Sequence, residues 1–221
     1  MCVIMNTSTR LLFEQLPSFE SSPLFSALEA DTEAALRLLP NVYARAVAAL
    51  RFRQNIGSSA EHMRVSEDDV AIMQVAYLRA ALMDYVGMEE VLPLDLEARG
   101  IGESVLTIRE TRDALLVILR EMRHLQLHLV NTSFGSSRKA AILRGMGKEH
   151  PTEVTVLTVP RDDLLKLRSL RNASRYDPRD LERAIEWFEA AQANWGVGDV
   201  VQAGIQRYAE ALVSHYRLAA P

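Results

Sequence analysis

The stretch Leu119-Arg120-Glu121-Met122-Arg123-His124-Leu125-Gln126-Leu127-His128 decides how the rest of the chain is interpreted. It lies near the end of the most apolar helical segment, residues 103–131, in which apolar residues recur at three- and four-residue spacing. A stripe this wide is typical of a helix that is buried against several neighbours. We therefore predict a helical bundle with residues 103–131 as its central helix. In the quoted stretch, groups that can move protons and stabilise an anion sit together.

Composition narrows the class of protein. The 221 residues, 48% of them hydrophobic, are enough to bury one substantial core. The single cysteine, Cys2, cannot form an intrachain disulfide, which suits a reducing cytoplasm. No apolar run approaches the roughly 20 residues that cross a bilayer, so we expect a cytoplasmic protein without a membrane partner. The net charge of -4 argues against a general nucleic-acid coat but is compatible with a local basic cleft.

Helical patterns fill the first half of the chain. Residues 1–23 are rich in proline and serine and are interpreted as an irregular arm. Helices are predicted over 24–39 and 41–54, on either side of Pro40. Ser66 is predicted to cap a long helix that ends at Pro93, with residues 90–102 as a connection. The predicted organisation is an N-terminal arm with helices at 1–65 and a helical bundle at 66–221.

The second half contains one β-like pattern among further helices. Residues 138–144 are predicted to form a short helix, and the β-branched run 153–159 a strand-like arm. Asp162 is expected to open a short helix through residue 170, Asp177-Pro178 to begin the next, and Asp199 to cap the last. The predicted class is all-α: a helical bundle with an N-terminal helical extension and one short β-like arm.

The polar side of the central helix allows two interpretations. His124 and His128 are one turn apart and share a face with Arg120. A charged helix face commonly meets only water, which is the structural interpretation. Imidazoles that titrate near neutral pH are also the natural groups for proton transfer, which is the functional interpretation.

The motif Arg123-His124-Leu125-Gln126-Leu127-His128 resembles that of the HEPN superfamily, the higher-eukaryote and prokaryote nucleotide-binding domains. That motif consists of an arginine, a polar residue, a short spacer and a histidine, carried on a core helix of an α-helical bundle. The resemblance covers about residues 66–218. It implies metal-independent RNA cleavage in active members, with the site assembled across a dimer, whereas other members only bind nucleotides or partners. By the same resemblance Arg123 and His128 form the central pair and His124 assists. No cofactor is implied.

The spacing of this pair raises a geometric problem. Five positions separate Arg123 from His128, so on a straight helix they point about 140° apart. The arginine side chain wraps around the helix, the helix is distorted, or a second chain completes the pair. We expect a homodimer for this reason, and also because the apolar surface of residues 105–130 is wider than one thin bundle obviously covers.

Two further patterns bear on the site. Residues 171–176 repeat the motif with Tyr176 in place of the histidine, so Arg171 and Arg175, together with Arg120, are predicted to contact RNA phosphates. Basic residues that simply end a helix are the alternative. Glu121-x-x-His124 has the spacing of di-iron bundles, but the sequence contains no second Glu-x-x-His, so we predict no metal site.

Two functions of different classes stay open. The first is a dimeric, metal-independent endoribonuclease or an RNA-binding, toxin-like protein, in which Arg123 stabilises phosphate and His128 transfers a proton. Its partners would be a second copy, RNA and a protein such as an antitoxin. The second is a non-catalytic helical module for protein interaction. Chelator-resistant RNA cleavage would distinguish the first function from the second.

Overall fold

The structure, a computed structural model, describes residues 8–14, 16–19, 26–57, 66, 69–128, 134–145 and 148–219. These residues form seven α-helices and one two-stranded sheet. The helices are α1 Ala30–Leu36, α2 Pro40–Gln54, α3 Val70–Ala98, α4 Ala114–His128, α5 Arg161–Leu165, α6 Pro178–Trp195 and α7 Val197–His215. The strands are β1 Gly135–Gly145 and β2 Lys148–Thr158. The predicted all-α class is thus confirmed.

Helix α4 lies in the middle of the bundle because its apolar stripe has neighbours on several sides. It contacts α3, α6 and α7, and its residues 115–119, with Met122 and Leu125, are at most 2% exposed. Helix α2 packs along α3 and against α7, so one continuous cluster of buried residues extends from α1 to α7. The predicted domain boundary at residue 65 remains a prediction. None of the helices in the described ranges is long and apolar enough to cross a membrane.

Helix α3 continues past Pro93, where the sequence predicted its end. Proline removes one backbone donor, but the following turn is fastened by Asp95, whose side chain is fully buried. The two carboxylate oxygens of Asp95 accept hydrogen bonds from the backbone N–H groups of Asn41 (3.2 Å) and Val42 (2.9 Å) at the start of α2. Satisfying these otherwise unpaired donors favours continuing the helix to Ala98.

The central helix is shorter than predicted, because residues 103–113 are not helical. Backbone groups in this segment form hydrogen bonds with side chains instead of with a helical turn. The N–H of Leu106 donates to the hydroxyl of Tyr216 (2.8 Å), and the hydroxyl of Tyr208 donates to the carbonyl of Leu106 (2.8 Å). Asp113 then caps α4 by accepting from the N–H of Leu115 at 2.9 Å. Residues 129–131 of the predicted helix lie outside the described residues.

The hairpin corrects one prediction and confirms another. Residues 138–144, predicted as a helix, form part of β1, while 153–159 is β-structure through Thr158 as expected. The strands are antiparallel, with Gly135 opposite Thr158 and Gly145 opposite Lys148. Pairing with β2 from Gly135 to Gly145 outweighs the weak helical preference of 138–144, because strand formation depends on the partner strand.

Residues 8–14 of the N-terminal segment do not project as an arm, because backbone hydrogen bonds attach them to the bundle. The N–H of Thr9 donates to the carbonyl of Arg175 at 2.8 Å, and that of Leu12 to the carbonyl of Arg112 at 2.7 Å. Leu11 is only 6% exposed. Residues 8–12 therefore hold together the segments that precede α4 and α6.

Three helix starts were predicted from capping residues, and the one at Asp177-Pro178 is confirmed, since Asp177 accepts from the N–H groups of Arg179 and Asp180. Ser66 Oγ accepts from the N–H of Asp69 at 3.2 Å, but it does not cap α3, which begins at Val70 without a side-chain cap. Asp199 does not cap α7, which begins at Val197 after Gly196 in a left-handed conformation (φ 89°). Asp199 instead forms an ion pair with Arg53 of α2.

Candidate RNA-binding face beside helix α4

Arg120 links α4 to α3 rather than facing solvent. Its guanidinium lies 3.2 Å from a carboxylate oxygen of Glu89 on α3 and 3.8 Å from Glu121. The side chain of Arg120 is 17% exposed. Both charges that face it are carboxylates of the same chain, so its predicted role in binding RNA has no support in these contacts.

Glu121 is the centre of a buried polar cluster. It is 1% exposed and accepts hydrogen bonds from the hydroxyl of Tyr176 at 2.7 Å and from the side-chain amide of Asn172 at 3.2 Å. The guanidinium of Arg109 lies 3.7 Å from the same carboxylate and donates to the Tyr176 hydroxyl at 3.1 Å. A buried carboxylate needs such partners, because its desolvation is costly.

Tyr176 occupies the histidine position of the second motif-like segment, and the structure shows what it does there. Burial and then the charge of Glu121 raise the pKa of Tyr176 to about 12. The hydroxyl therefore stays protonated at neutral pH and donates to Glu121. Tyr176 is a structural donor and not a proton shuttle.

The segment Arg171–Arg175 is a 3₁₀ turn that Tyr176 and Asn172 fasten to α4. Arg171 and Arg175 are exposed, and within the described part of the chain neither side chain forms an ion pair. These cations are thus held beside the helix that carries the motif. Arg175 lies in the last turn of this 3₁₀ helix, so the alternative that a basic residue simply ends a helix stands for Arg175 beside the prediction of RNA contact.

Arg123 and the histidines occupy the last turns of α4. A terminal nitrogen of Arg123 lies 3.8 Å from Glu90 of α3, and the side chain is 22% exposed. His124 is half-buried, and the side chain of His128 lies outside the described part of the structure. Helix α4 is continuous to His128, so a distorted helix no longer explains how Arg123 and His128 could meet. Positions 123 and 128 stay about 140° apart in one chain.

Positions 120, 124 and 128 lie on the side of α4 between α3 and the 171–175 turn. This follows from the contacts, because Arg120 and Arg123 reach α3 whereas Glu121 reaches the turn. We name this region the α4 face: the helix side at 120, 124 and 128, with Arg123 at one margin and Arg171 and Arg175 at the other. The predicted polar stripe is therefore on one side of the bundle, beside the predicted arginine segment.

The cluster around Glu121 was not predicted from the sequence. Two features of the sequence could have indicated it. Glu121 lies one position from the apolar stripe, and Tyr176 occupies the histidine position of the second motif-like segment. Glu121 and His124 belong to no group of three or more potential metal ligands among the described residues. The apolar surface that favoured a dimer, residues 105–130, is largely covered within the chain as far as it is described.

Comparisons with known proteins leave the HEPN resemblance as a prediction from the motif. No protein-family model matches the chain, and no curated protein and no solved structure matches it either.

Proposed function

We propose that this protein binds RNA on the α4 face, with Arg171 and Arg175 as its principal phosphate contacts. The observation that carries the proposal is the attachment of the 171–175 turn to α4 through Asn172, Tyr176 and Glu121. Two exposed cations, far from the motif in sequence, are thereby held beside the helix that carries it. A rigid mounting lowers the entropic cost of ordering them on a phosphate backbone.

The carboxylates that face each arginine determine how much that arginine is expected to contribute to RNA binding. Arg120 already faces two carboxylates, and the charge of Arg123 is opposed by Glu90. The Arg123–Glu90 pair has a long separation of 3.8 Å and an exposed carboxylate, so it is worth about 0–1 kcal/mol and can be exchanged for a phosphate. Arg171 and Arg175 have no such competitor among the described residues. They contribute most to binding, and Arg123 contributes less.

Fluorescence anisotropy with a labelled single-stranded RNA tests the proposal, with the double variant Arg171→Ala/Arg175→Ala. We expect at least about a tenfold loss of affinity. The slope of log affinity against log salt should fall by about 1.4, since each phosphate contact on a single strand contributes about 0.7.

The matched control is Arg51→Ala/Arg217→Ala, which removes the same charge from two exposed arginines in the last turn of α2 and after α7. It should bind RNA nearly as well as the unmodified protein. Equal losses of RNA affinity in both double variants would mean that binding depends only on the net charge of the protein and not on Arg171 and Arg175. An unmodified protein that does not bind RNA would refute the proposal and favour the protein-interaction module.

The same mixtures, supplemented with a chelator, read out cleavage. In the catalytic proposal Arg123 stabilises the phosphate and His128 transfers the proton, and two chains are needed because one α4 holds these positions on different sides. Chelator-resistant cleavage that His128→Ala abolishes, with RNA affinity retained, would support an endoribonuclease. RNA that stays intact while it binds would leave binding as the function.

A further inference from the structure

Two backbone hydrogen bonds attach the N-terminal segment to the residues around Arg175. Thr9 and Tyr176 form an isolated parallel β-bridge. The N–H of Thr9 donates to the carbonyl of Arg175 at 2.8 Å, and the carbonyl of Thr9 accepts from the N–H of Asp177 at 3.1 Å. We name residues 8–12 the N-terminal strap. The strap is therefore bonded to the backbone of an arginine that is expected to contact RNA.

The centre and the other end of the N-terminal strap are held by separate contacts. Leu11 is 6% exposed, and its N–H donates to a carboxylate oxygen of Asp180 at 2.9 Å. Leu12 forms a second parallel bridge, with Asp113. Because Leu11 lies between the two bridges and has contacts of its own, the bridge at Thr9 can open while the bridge at Leu12 stays closed.

We propose that the N-terminal strap controls RNA affinity through Arg175, with Thr9 as the positioning residue. The inference rests on the proposed function, in which Arg175 contacts a phosphate. Glu121 fastens the turn through the side chains of Asn172 and Tyr176. Thr9 fastens the backbone of Arg175 itself. The two attachments restrain different parts of the turn, and each reduces the conformational entropy that remains to be lost when RNA binds.

The Thr9 end of the strap is suited to reversible opening. Its neighbour Arg10 has a side chain that is 69% exposed and pairs with Asp177 at 3.1 Å, and an ion pair so exposed adds little stability. Partly exposed backbone hydrogen bonds open at a lower cost than bonds in the core. RNA binds the closed strap more tightly than the open strap, and by reciprocity bound RNA favours the closed strap.

Arg171 provides an internal comparison within the same turn. It begins the 3₁₀ turn that Arg175 ends. Among the described residues, the backbone hydrogen bonds of the strap reach Arg175 and Asp177 but not Arg171. Opening of the strap at Thr9 should therefore weaken the phosphate contact of Arg175 and leave that of Arg171 intact.

Thr9→Pro tests the strap by fluorescence anisotropy with the same labelled RNA, because proline has no N–H to donate to the Arg175 carbonyl. The two arginines of the turn share an expected tenfold loss, so Thr9→Pro should weaken RNA binding by about two- to threefold. The slope of log affinity against log salt should not change, because the phosphate contact still forms in the complex. Leu12→Pro is the matched control: it removes the donor to the Arg112 carbonyl at the other bridge and should leave RNA affinity unchanged.

Combined variants separate positioning of Arg175 from a general effect on the fold. Thr9→Pro should cause no further loss of affinity when added to Arg175→Ala, but its full loss when added to Arg171→Ala. Equal further losses in the two backgrounds would overturn the proposal. A loss in Leu12→Pro as large as that in Thr9→Pro would also overturn it.

Hydrogen exchange of the unmodified protein tests the same coupling without a substitution. Bound RNA should slow exchange of the Thr9 N–H and leave that of the Leu12 N–H unchanged. Thr9 exchange that RNA does not alter would overturn the role of the strap while RNA binding itself stands. A protein that binds no RNA in these mixtures would refute the proposed function, and this inference with it.

Discussion

The cluster around Glu121 allows one prediction to be worked out in detail, the effect of Glu121→Ala on stability. The substitution removes a carboxylate that is 1% exposed and leaves four groups without it: the Tyr176 hydroxyl, the Asn172 amide, and the guanidinium groups of Arg109 and Arg120. Removing Glu121 is costly, because the Tyr176 hydroxyl and the Asn172 amide lose their acceptor and Arg109 loses its carboxylate, whereas Arg120 keeps Glu89.

The magnitude follows from this burial. Loss of one partner from a buried ion pair costs about 3–5 kcal/mol. We expect Glu121→Ala to cost this much, because the Asn172 amide and the Tyr176 hydroxyl lose their acceptor as well. For a chain of this length each 1 kcal/mol lowers the melting temperature by about 2–4 °C, so a decrease of roughly 6–20 °C is expected. Glu121→Gln should lose less, since the amide keeps the shape and can still accept a hydrogen bond from Tyr176.

Urea denaturation followed by circular dichroism measures the loss, with Glu90→Ala as the control. Glu90 also faces an arginine, but its side chain is 61% exposed and the separation is 3.8 Å, so its removal should cost about 0–1 kcal/mol. Limited digestion with trypsin adds a local readout. Glu121→Ala should speed cleavage after Arg171 and Arg175, because the turn loses its attachment to α4.

Equal and small losses of unfolding free energy in the two variants would refute the reasoning. They would mean that the Glu121 cluster is no more than a surface ion pair. A large loss in Glu121→Ala without faster cleavage at the 171–175 turn would keep the energetic argument but reject the anchoring role of Glu121.

Two further predictions concern the buried residues around α4. The pKa of Tyr176 is about 12 in the folded protein and about 10 in the unfolded chain, so the unfolded chain binds fewer protons above pH 10 and stability falls as pH rises from about 10 towards 12. The urea midpoint of Tyr176→Phe should therefore decline less steeply with pH than that of the unmodified protein. An identical slope would contradict the assignment. Gly204→Ala should cost about 1–3 kcal/mol, because its Cβ would lie 2.1 Å from Leu119 Cδ1 in the core, whereas Gly102→Ala, with nothing within 4 Å, should be nearly neutral by the same measurement.

Local chemistry made part of the fold predictable. The aspartate-proline pair at 177–178 specifies a helix start by itself, since the carboxylate accepts from the first turn and proline needs no donor there. The periodic apolar residues of 115–125 identified the buried helix, and the β-branched run at 153–159 identified a strand. In each case the decisive interactions are between residues close in sequence, or follow from periodicity alone.

Other elements were decided by partners distant in sequence. Helix α3 passes Pro93 because Asp95 caps α2, and residues 138–144 are a strand because β2 pairs with them. Neither partner can be read from the local pattern. The same holds for the burial of Glu121, which requires three segments to meet.

The candidate site shows the same division. The sequence alone singled out Arg123, His124, His128, Arg171 and Arg175 by residue type and spacing. The tertiary structure decided that Arg120 is occupied by two carboxylates and that Asn172 of the 171–175 turn is bonded to Glu121 of α4. Residue type and spacing set which chemistry a side chain can perform, but packing between distant segments sets which side chains are already paired and which remain exposed to a partner.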